Sequence, residues 1–332
     1  MRVSTLERTI LISMCLTGLL LVVLLISLLT GTTVTEINTL LTGTGLKIDA
    51  QRTWTIILSY RLPRTLLAAI AGAGLASAGV VFQGVLKNPL ADPYLIGIAA
   101  GGSLGAVVSI VVFGERWLFG TSVSAFLGSI VAVSLVYGLA VLRRGRAYVN
   151  TVILAGVIVG CLMNAVMLLI LSLSGSHEKQ RILFWLMGDF SLANYQKVLL
   201  AIVVVVLGWA LIYLNANRLN LLAVGDDTAS HLGLDVFRMR TFFMIVAAMM
   251  TGAIVSVSGT IGFVGLVVPH AMRLLFGPDN RVLLPAALLG GATFLAASDC
   301  VARVVAYPVE LPVGVITTLS GAPFFLYLLM KK

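Results

Sequence analysis

The sequence predicts an all-α, polytopic membrane protein of about ten transmembrane helices, and three observations carry that reading. Hydrophobic residues make up 59% of its 332 residues and charged residues only 11%, with a mean hydropathy of +1.08; a soluble domain carries about 25% charged residues. Apolar runs close to the ~20 residues that cross a bilayer recur along its whole length. Lys and Arg are scattered through the short connections between those runs, where membrane proteins place them. So few charges cannot cover a water-facing surface, which excludes a soluble enzyme, a DNA-binding module and a disordered tail. The net charge of +9 is therefore read as membrane topology, not as a nucleic-acid surface.

The apolar runs are 10–29, 62–86, a third from just after Pro93 to about 113, then 123–142, 152–173, 198–214, 241–257, the short 263–275, 282–304 and 313–330. The first follows Arg2 and Arg8 but outlasts a signal-peptide core of 7–15 residues, and no small-x-small cleavage site follows it, so it reads as a retained span. Three connections are long: 31–60, with a modest amphipathic segment around 34–41; 174–197, polar and aromatic; and 215–240, mixed apolar and acidic. With the N-terminus cytoplasmic, thirteen basic residues fall inside, among them Lys87, Arg143, Arg144, Arg146, Arg218, Arg238, Arg240, Arg273 and Arg281. Nine fall outside: Lys47, Arg52, Arg61, Arg64, Arg116, Lys179, Arg181, Lys197 and Arg303. The bias sets both termini in the cytoplasm.

Small residues mark helix contacts. In the second span, Gly72 with Ala76 and Gly74 with Ala78 are small-xxx-small pairs that permit close backbone approach. Similar clusters occupy 101–105 and 289–297. Pro89 and Pro93 break the helix after the second span, and Gly259, Gly265 and Pro269 mark a second break. The stretch SAGVVFQGVLKNPL loosely matches SGTIGFVGLVVPH five spans later. An odd separation inverts the topology, which predicts an inverted repeat of spans 2–5 and 7–10, an arrangement common in transporters with broken helices.

Catalytic patterns are missing. There is no GxxxxGK[ST] P-loop and no HExxH, so the chain is expected not to be an enzyme. Cys15, Cys161 and Cys300 lie in separate apolar runs without a CxxC and read as small hydrophobes, with no metal site expected. Within the spans the polar candidates are Asn164, His270 and Asp299. His270 is read as capping its short span or bonding a backbone carbonyl, and Asp299 as the i,i+4 partner of Arg303. In the 218–240 loop, Asp226 or Asp227 can cap a short helix over 228–232 that Gly233 ends. That segment is either an interfacial helix or a docking knob for a cytoplasmic partner; the pattern leaves both open.

A resemblance then narrows the choice. The string RLPRTLLAAIAGAGLASAGVVFQGVLKNPLADPYLIGIAAGGSLGA resembles the second and third spans of the FecCD family. The strings LNLLAVGDDTASHLGLDV, GTIGFVGLVVPHAMRLLFGPDNRVLLP and ELPVGVITTLSGAPFFLYLL agree in order down to the last span. FecCD proteins are permease subunits of bacterial ABC importers for iron-siderophores, haem and vitamin B12.

The resemblance implies one permease domain over 1–332 and no cofactor on this chain. A second copy of itself and two ATP-binding subunits carrying ATP and Mg are expected. So are a soluble binding protein, periplasmic or lipid-anchored, and a multi-pass place in a bacterial or archaeal plasma (inner) membrane. It assigns the segment Asp226, Asp227, Thr228, Ala229, Ser230, His231, Leu232 and Gly233 to coupling with the ATPase, which tips the open choice toward docking. It assigns Arg61, Arg64 and Arg303 to acidic residues of the binding protein, and a cytoplasmic gate to Asn88, Leu90, Val149 and Asn150. The last two depart from the small hydroxyl residues of a B12-transporting relative. Met163 and Asn164 are expected to line a path between the fifth spans of two copies. The cargo expected first is a ferric siderophore, then haem or cobalamin. The competing reading is an ion-coupled secondary transporter of a small metabolite, which would need a midplane carboxylate and no ATPase.

Overall fold

The computed structural model describes residues 5–30, 54–114, 120–142, 149–306 and 308–330. Several expectations lie outside these residues: the amphipathic segment around 34–41, and Arg2, Lys47, Arg52, Arg116, Arg143, Arg144, Arg146, Lys331 and Lys332. Among the described residues all regular structure is helical. In chain order the α-helices are α1 (Thr5–Leu29), α2 (Leu62–Val85), α3 (Ile98–Phe113), α4 (Gly120–Leu142), α5 (Val149–Leu173), α6 (Ser176–Leu186) and α7 (Tyr195–Leu214). There follow α8 (Ala216–Val224), α9 (Asp226–His231), α10 (Val236–Ser258), α11 (Val264–Phe276), α12 (Asn280–Val304) and α13 (Val313–Met330). Among the described residues seven helices are long and apolar enough to span a membrane, and α3, α11 and α13 are shorter apolar helices. The ten predicted runs are thus all helical, in a polytopic bundle.

α2 is the central post. Of its apolar window 89% is buried, and it packs against α12, α10, α11, α7 and α8. Its small residues make this possible. A Cβ on Gly72 would overlap the Gly291 carbonyl of α12, and one on Gly79 would overlap the Gly265 carbonyl of α11. Gly74 admits Ile254 of α10 and Val205 of α7. Gly101 and Gly105 do the same for α3 against Gly128 and Ser124 of α4. By contrast α1 lies outside, against α12, with none of its window buried.

Helix boundaries follow local chemistry. The helix carrying α2 begins at Trp54, eight residues before the predicted start, and passes through a π-turn over Ile57–Arg61. The wide turn sits just before Pro63, which has no N–H to return to Ser59. α10 begins at Val236, where the Asp235 side chain accepts from the Arg238 amide, and not at 241. α12 begins at Asn280, capped by Asp279. The long 215–240 connection is therefore mostly helix. Leu219 and Leu222 of α8 are buried, so this amphipathic turn packs under the bundle and is not a free loop. The 174–197 connection also contains a helix, α6, whose Glu178 carboxylate accepts from the Gly175 amide at 2.6 Å.

Both predicted breaks exist. α2 ends at Val85; Lys87 takes φ 51°, and a 3-10 turn over Pro93–Ile96 leads through Gly97 (φ 78°) into α3. The second break, after Ser258, turns at Gly259 (φ 71°) and Phe263 (φ 69°) before α11. The order of long helix, break, short helix and two further helices occurs twice, in α2–α5 and in α10–α13. The matched strings are not the equivalent residues, however. Ser77–Gly84 lies inside α2, whereas 259–263 is the second break itself. Shared glycine, valine and phenylalanine content produced that match.

The two ends of the bundle are chemically distinct. At one end, Arg8 of α1 donates to the Phe276 carbonyl that closes α11, and Asn220 of α8 bonds Asp279 and Asn280 at the start of α12. The last turn of α2, α9 and the start of α10 lie at this same end. The opposite end carries the close of α1, the start of α2, the close of α12, and α6.

Candidate functional site

The end bearing α8 and α9 presents a short helix fixed from above. Gly225, extended at φ 158°, separates α8 from α9. Ala229 is fully buried, while Thr228, Ser230, His231 and Leu232 face outward, Leu232 at 64% exposure. Gly233 closes the turn at φ 81°, and Leu234 donates its amide to the Ala229 carbonyl. Val224 and Phe237 extend the exposed apolar patch on either side.

The structure corrects the predicted capping. α9 starts at Asp226 itself, and the Asp226 carboxylate is used elsewhere. It accepts from Lys87 Nζ at 2.7 Å and from Arg240 Nη2 at 2.7 and 2.8 Å. Burial pushes this carboxyl up, but hydrogen bonds from Arg240 and Lys87 outweigh it and hold the group below the usual carboxylate value. One acidic residue thus ties α9 to the start of α10 and to the turn leaving α2.

That turn carries two of the expected gate residues. Asn88 and Leu90 are both exposed. Asn88 Oδ1 accepts from the Leu90 amide at 2.9 Å, and its carbonyl accepts from Ala91. Further on, Asp92 caps Tyr94, and Tyr94 Oη meets both backbone groups of Ile261 in the second break at 3.1 Å. Val149 and Asn150 are the first residues of α5, Asn150 exposed. α5 rests on the same broken segment, since a Cβ on Gly156 would overlap the Leu95 carbonyl. The expected gate residues therefore lie on two elements in direct contact.

The path residues divide. Met163 is buried at 7% exposure within the protomer core, so it does not line an open face. Asn164, one helix step on, lies on the uncovered face of α5 beside Cys161, Leu162 and Ala165. The neighbours α3 and α4 cover the Met163 side.

The three outer arginines are placed differently from the expectation of exposed docking groups. Arg61 is 9% exposed and donates to the Leu28 carbonyl; Arg64 is 9% exposed and Arg303 3%. Arg64 forms a fork on Asp299, with contacts of 3.0–3.2 Å, and reaches Glu310 at 2.6 Å. Arg303 pairs with Asp299 at 3.2 Å, as the i,i+4 spacing predicts, and also donates to the Ser27 carbonyl, Ser27 Oγ and the Thr30 carbonyl. These cations stitch α1, α2 and α12 together, and Asp299, 1% exposed, is fully engaged. It is a structural counter-ion at one end of the bundle, not a lone midplane carboxylate. His270 of α11 lies with its ring 5.7 Å from that of Phe325.

One feature of this outer end went unread in the sequence. A cavity of about 810 Å³ opens between α3, α6, α10 and the 310–312 turn. Its wall includes His177, Arg181, Asp189, Lys197, Ser258 and Glu310. The amphipathic period of α6, with Ile182 buried, was the available signal for a wall there.

The comparisons agree with this architecture. The model of the FecCD transport family matches residues 19–331. The cobalamin import system permease BtuC of Halobacterium salinarum is 44% identical over 277 residues, 83% of this chain and 74% of that protein. The hemin transport system permease HmuU of Yersinia pestis is 38% identical over 283 residues, 84% of each. A solved inward-facing ABC transporter assigned to the metal-chelate type superposes with a TM-score of 0.86 at 33% identity, covering 97% of this chain and 99% of that one. With ten apolar helices among the described residues, two facing breaks and a family match over residues 19–331, the chain is a multi-pass transport permease that belongs to the FecCD transport family.

Proposed function

We propose that this chain is the transmembrane subunit of an ATP-driven importer, acting as a dimer with two ATP-binding subunits on the α9 side and a soluble binding protein on the other. The observation that carries this is α9: a six-residue helix whose outer face is exposed and whose inner face is pinned to two spans by Asp226. The sequence carries no P-loop, so in this reading the nucleotide-driven stroke enters from another chain through such an element. The uncovered apolar face of α5, with Asn164 on it, supports a second copy across the path. The plasma membrane of a prokaryote is the location that fits. The cargo class is an iron chelate or a related metal macrocycle: ferric siderophore first, with haem and cobalamin as the other candidates. Relatives at similar identity carry cobalamin and hemin.

The test is reconstitution in vesicles with the ATP-binding subunits and the binding protein. Ferrichrome loaded with radioactive iron, hemin and labelled cyanocobalamin would be offered separately. ATP-dependent accumulation of one of them, lost on Leu232→Glu together with the ATP-binding subunit, is the expected result. Accumulation by the permease alone under an ion gradient would overturn the reading in favour of a secondary transporter.

A further inference from the structure

We propose that Lys87 is a positioning residue for transport: through Asp226 it carries movement of α9 into the broken segment 87–97, which pivots at Tyr94. This inference rests on the importer reading above and adds the path by which the stroke reaches the gate. It begins from a strained residue. Lys87 sits in the left-handed region at φ 51°, where a Cβ is disfavoured and glycine or asparagine is the easy choice. What lysine supplies there, and glycine cannot, is an ammonium 2.7 Å from Asp226 Oδ1.

The two bonds to Asp226 differ in kind. Arg240 is buried, with 8% of its side chain exposed, and it fixes Asp226 to the start of α10. Lys87 and Asp226 are 36% and 44% exposed at their side chains. The pair at Lys87 is thus the solvent-accessible, adjustable link between α9 and the end of α2.

Beyond Lys87 the segment is braced to move as one piece. Asn88 bonds Leu90 and Ala91, Asp92 bonds Tyr94, and the 3-10 turn closes on Gly97. Its far end is held twice. Tyr94 Oη occupies both backbone groups of Ile261, and Pro93 packs where Gly265 leaves room. A displacement applied at Lys87 and resisted at Tyr94 must move what lies between them. Those residues include Asn88 and Leu90, both exposed.

The experiment uses the assembled complex of permease, ATP-binding subunits and binding protein. Cys15, Cys161 and Cys300 are replaced by serine, and Leu90→Cys reports accessibility to a water-soluble maleimide. With Lys87 present, the labelling rate should differ at least fivefold between nucleotide-free and ATP–vanadate-trapped complexes. Lys87→Met should reduce that ratio below twofold while ATP hydrolysis stays within twofold and the ATP-binding subunits still co-purify. Lys87→Arg, which keeps the charge, should restore the ratio. A Lys87→Met complex that responds like its parent overturns the proposal, as does Lys87→Arg failing equally. Loss of the ATP-binding subunits in Lys87→Met would make the residue an assembly contact and also overturn it. No response with Lys87 in place, or no co-purification at all, would instead bring down the importer reading itself.

Discussion

The Tyr94 hydroxyl serves both backbone groups of Ile261: it donates to the carbonyl and accepts from the amide, each at 3.1 Å. One side chain thereby replaces the two helical partners that Ile261 lost when the chain broke before α11. Irregular backbone at membrane depth is tolerated only where protein or a water-filled cavity satisfies it, and here the first break satisfies the second. Tyr94→Phe leaves both groups of a residue that is 1% exposed without this partner. The expected cost is about 1–3 kcal/mol, read as a lower midpoint in thermal unfolding of the detergent-solubilised protein. An unchanged midpoint would show that water or movement replaces the hydroxyl.

Asp299 holds two arginines from different helices at 1% exposure. Asp299→Asn should leave buried positive charge uncompensated and cost about 3–5 kcal/mol, seen as loss of monodisperse protein in size-exclusion chromatography. Glu310→Gln, at a 37% exposed carboxylate, should cost no more than ~1 kcal/mol. Equal effects would contradict the burial difference.

Glycine substitutions separate contact from propensity. Gly79→Ala drives a methyl group into the Gly265 carbonyl of α11, and overpacking of this kind costs about 1–3 kcal/mol. Gly138→Ala in α4 has open space around its Cβ and should fall within about 1 kcal/mol of the parent, on the stabilising side. Thermal unfolding of the pair checks both.

The clamp on α9 has a defined pH behaviour. Desolvation raises the Asp226 carboxyl, yet hydrogen bonds from Arg240 and Lys87 leave it below its usual 3.8. A carboxylate held lower in the folded state contributes stability above its unfolded value and loses it as pH falls through the folded one. Hydrogen exchange in α9 peptides, corrected for intrinsic rate, should therefore be flat from pH 7.5 to about 4.5. Asp226→Asn should raise exchange across that whole range. Asp279, lowered to about 2 by its bonds from Arg281, should keep its cap on α12 over the same interval.

The sequence by itself determined the class and the path of the chain. Ten apolar runs, the prolines at 89 and 93 and the small residues at 72, 74, 101 and 105 are local or periodic signals, and bilayer thickness converts them directly into helices, breaks and contacts. Only the tertiary structure decided what the charges do. The resemblance assigned Arg61, Arg64 and Arg303 to an outside partner, and the i,i+4 spacing gave only the pair Asp299–Arg303; Asp299 lies 235 positions from Arg64, and no period links those two. Asp226 read as a helix cap, because its partners Lys87 and Arg240 meet it only after α2 and α10 pack. Met163 and Asn164 are adjacent in sequence, and only the position of α3 and α4 against α5 buries one and leaves the other open. Hydrophobic pattern is read along a single helix, whereas a charge takes its role from whichever helix comes to lie beside it.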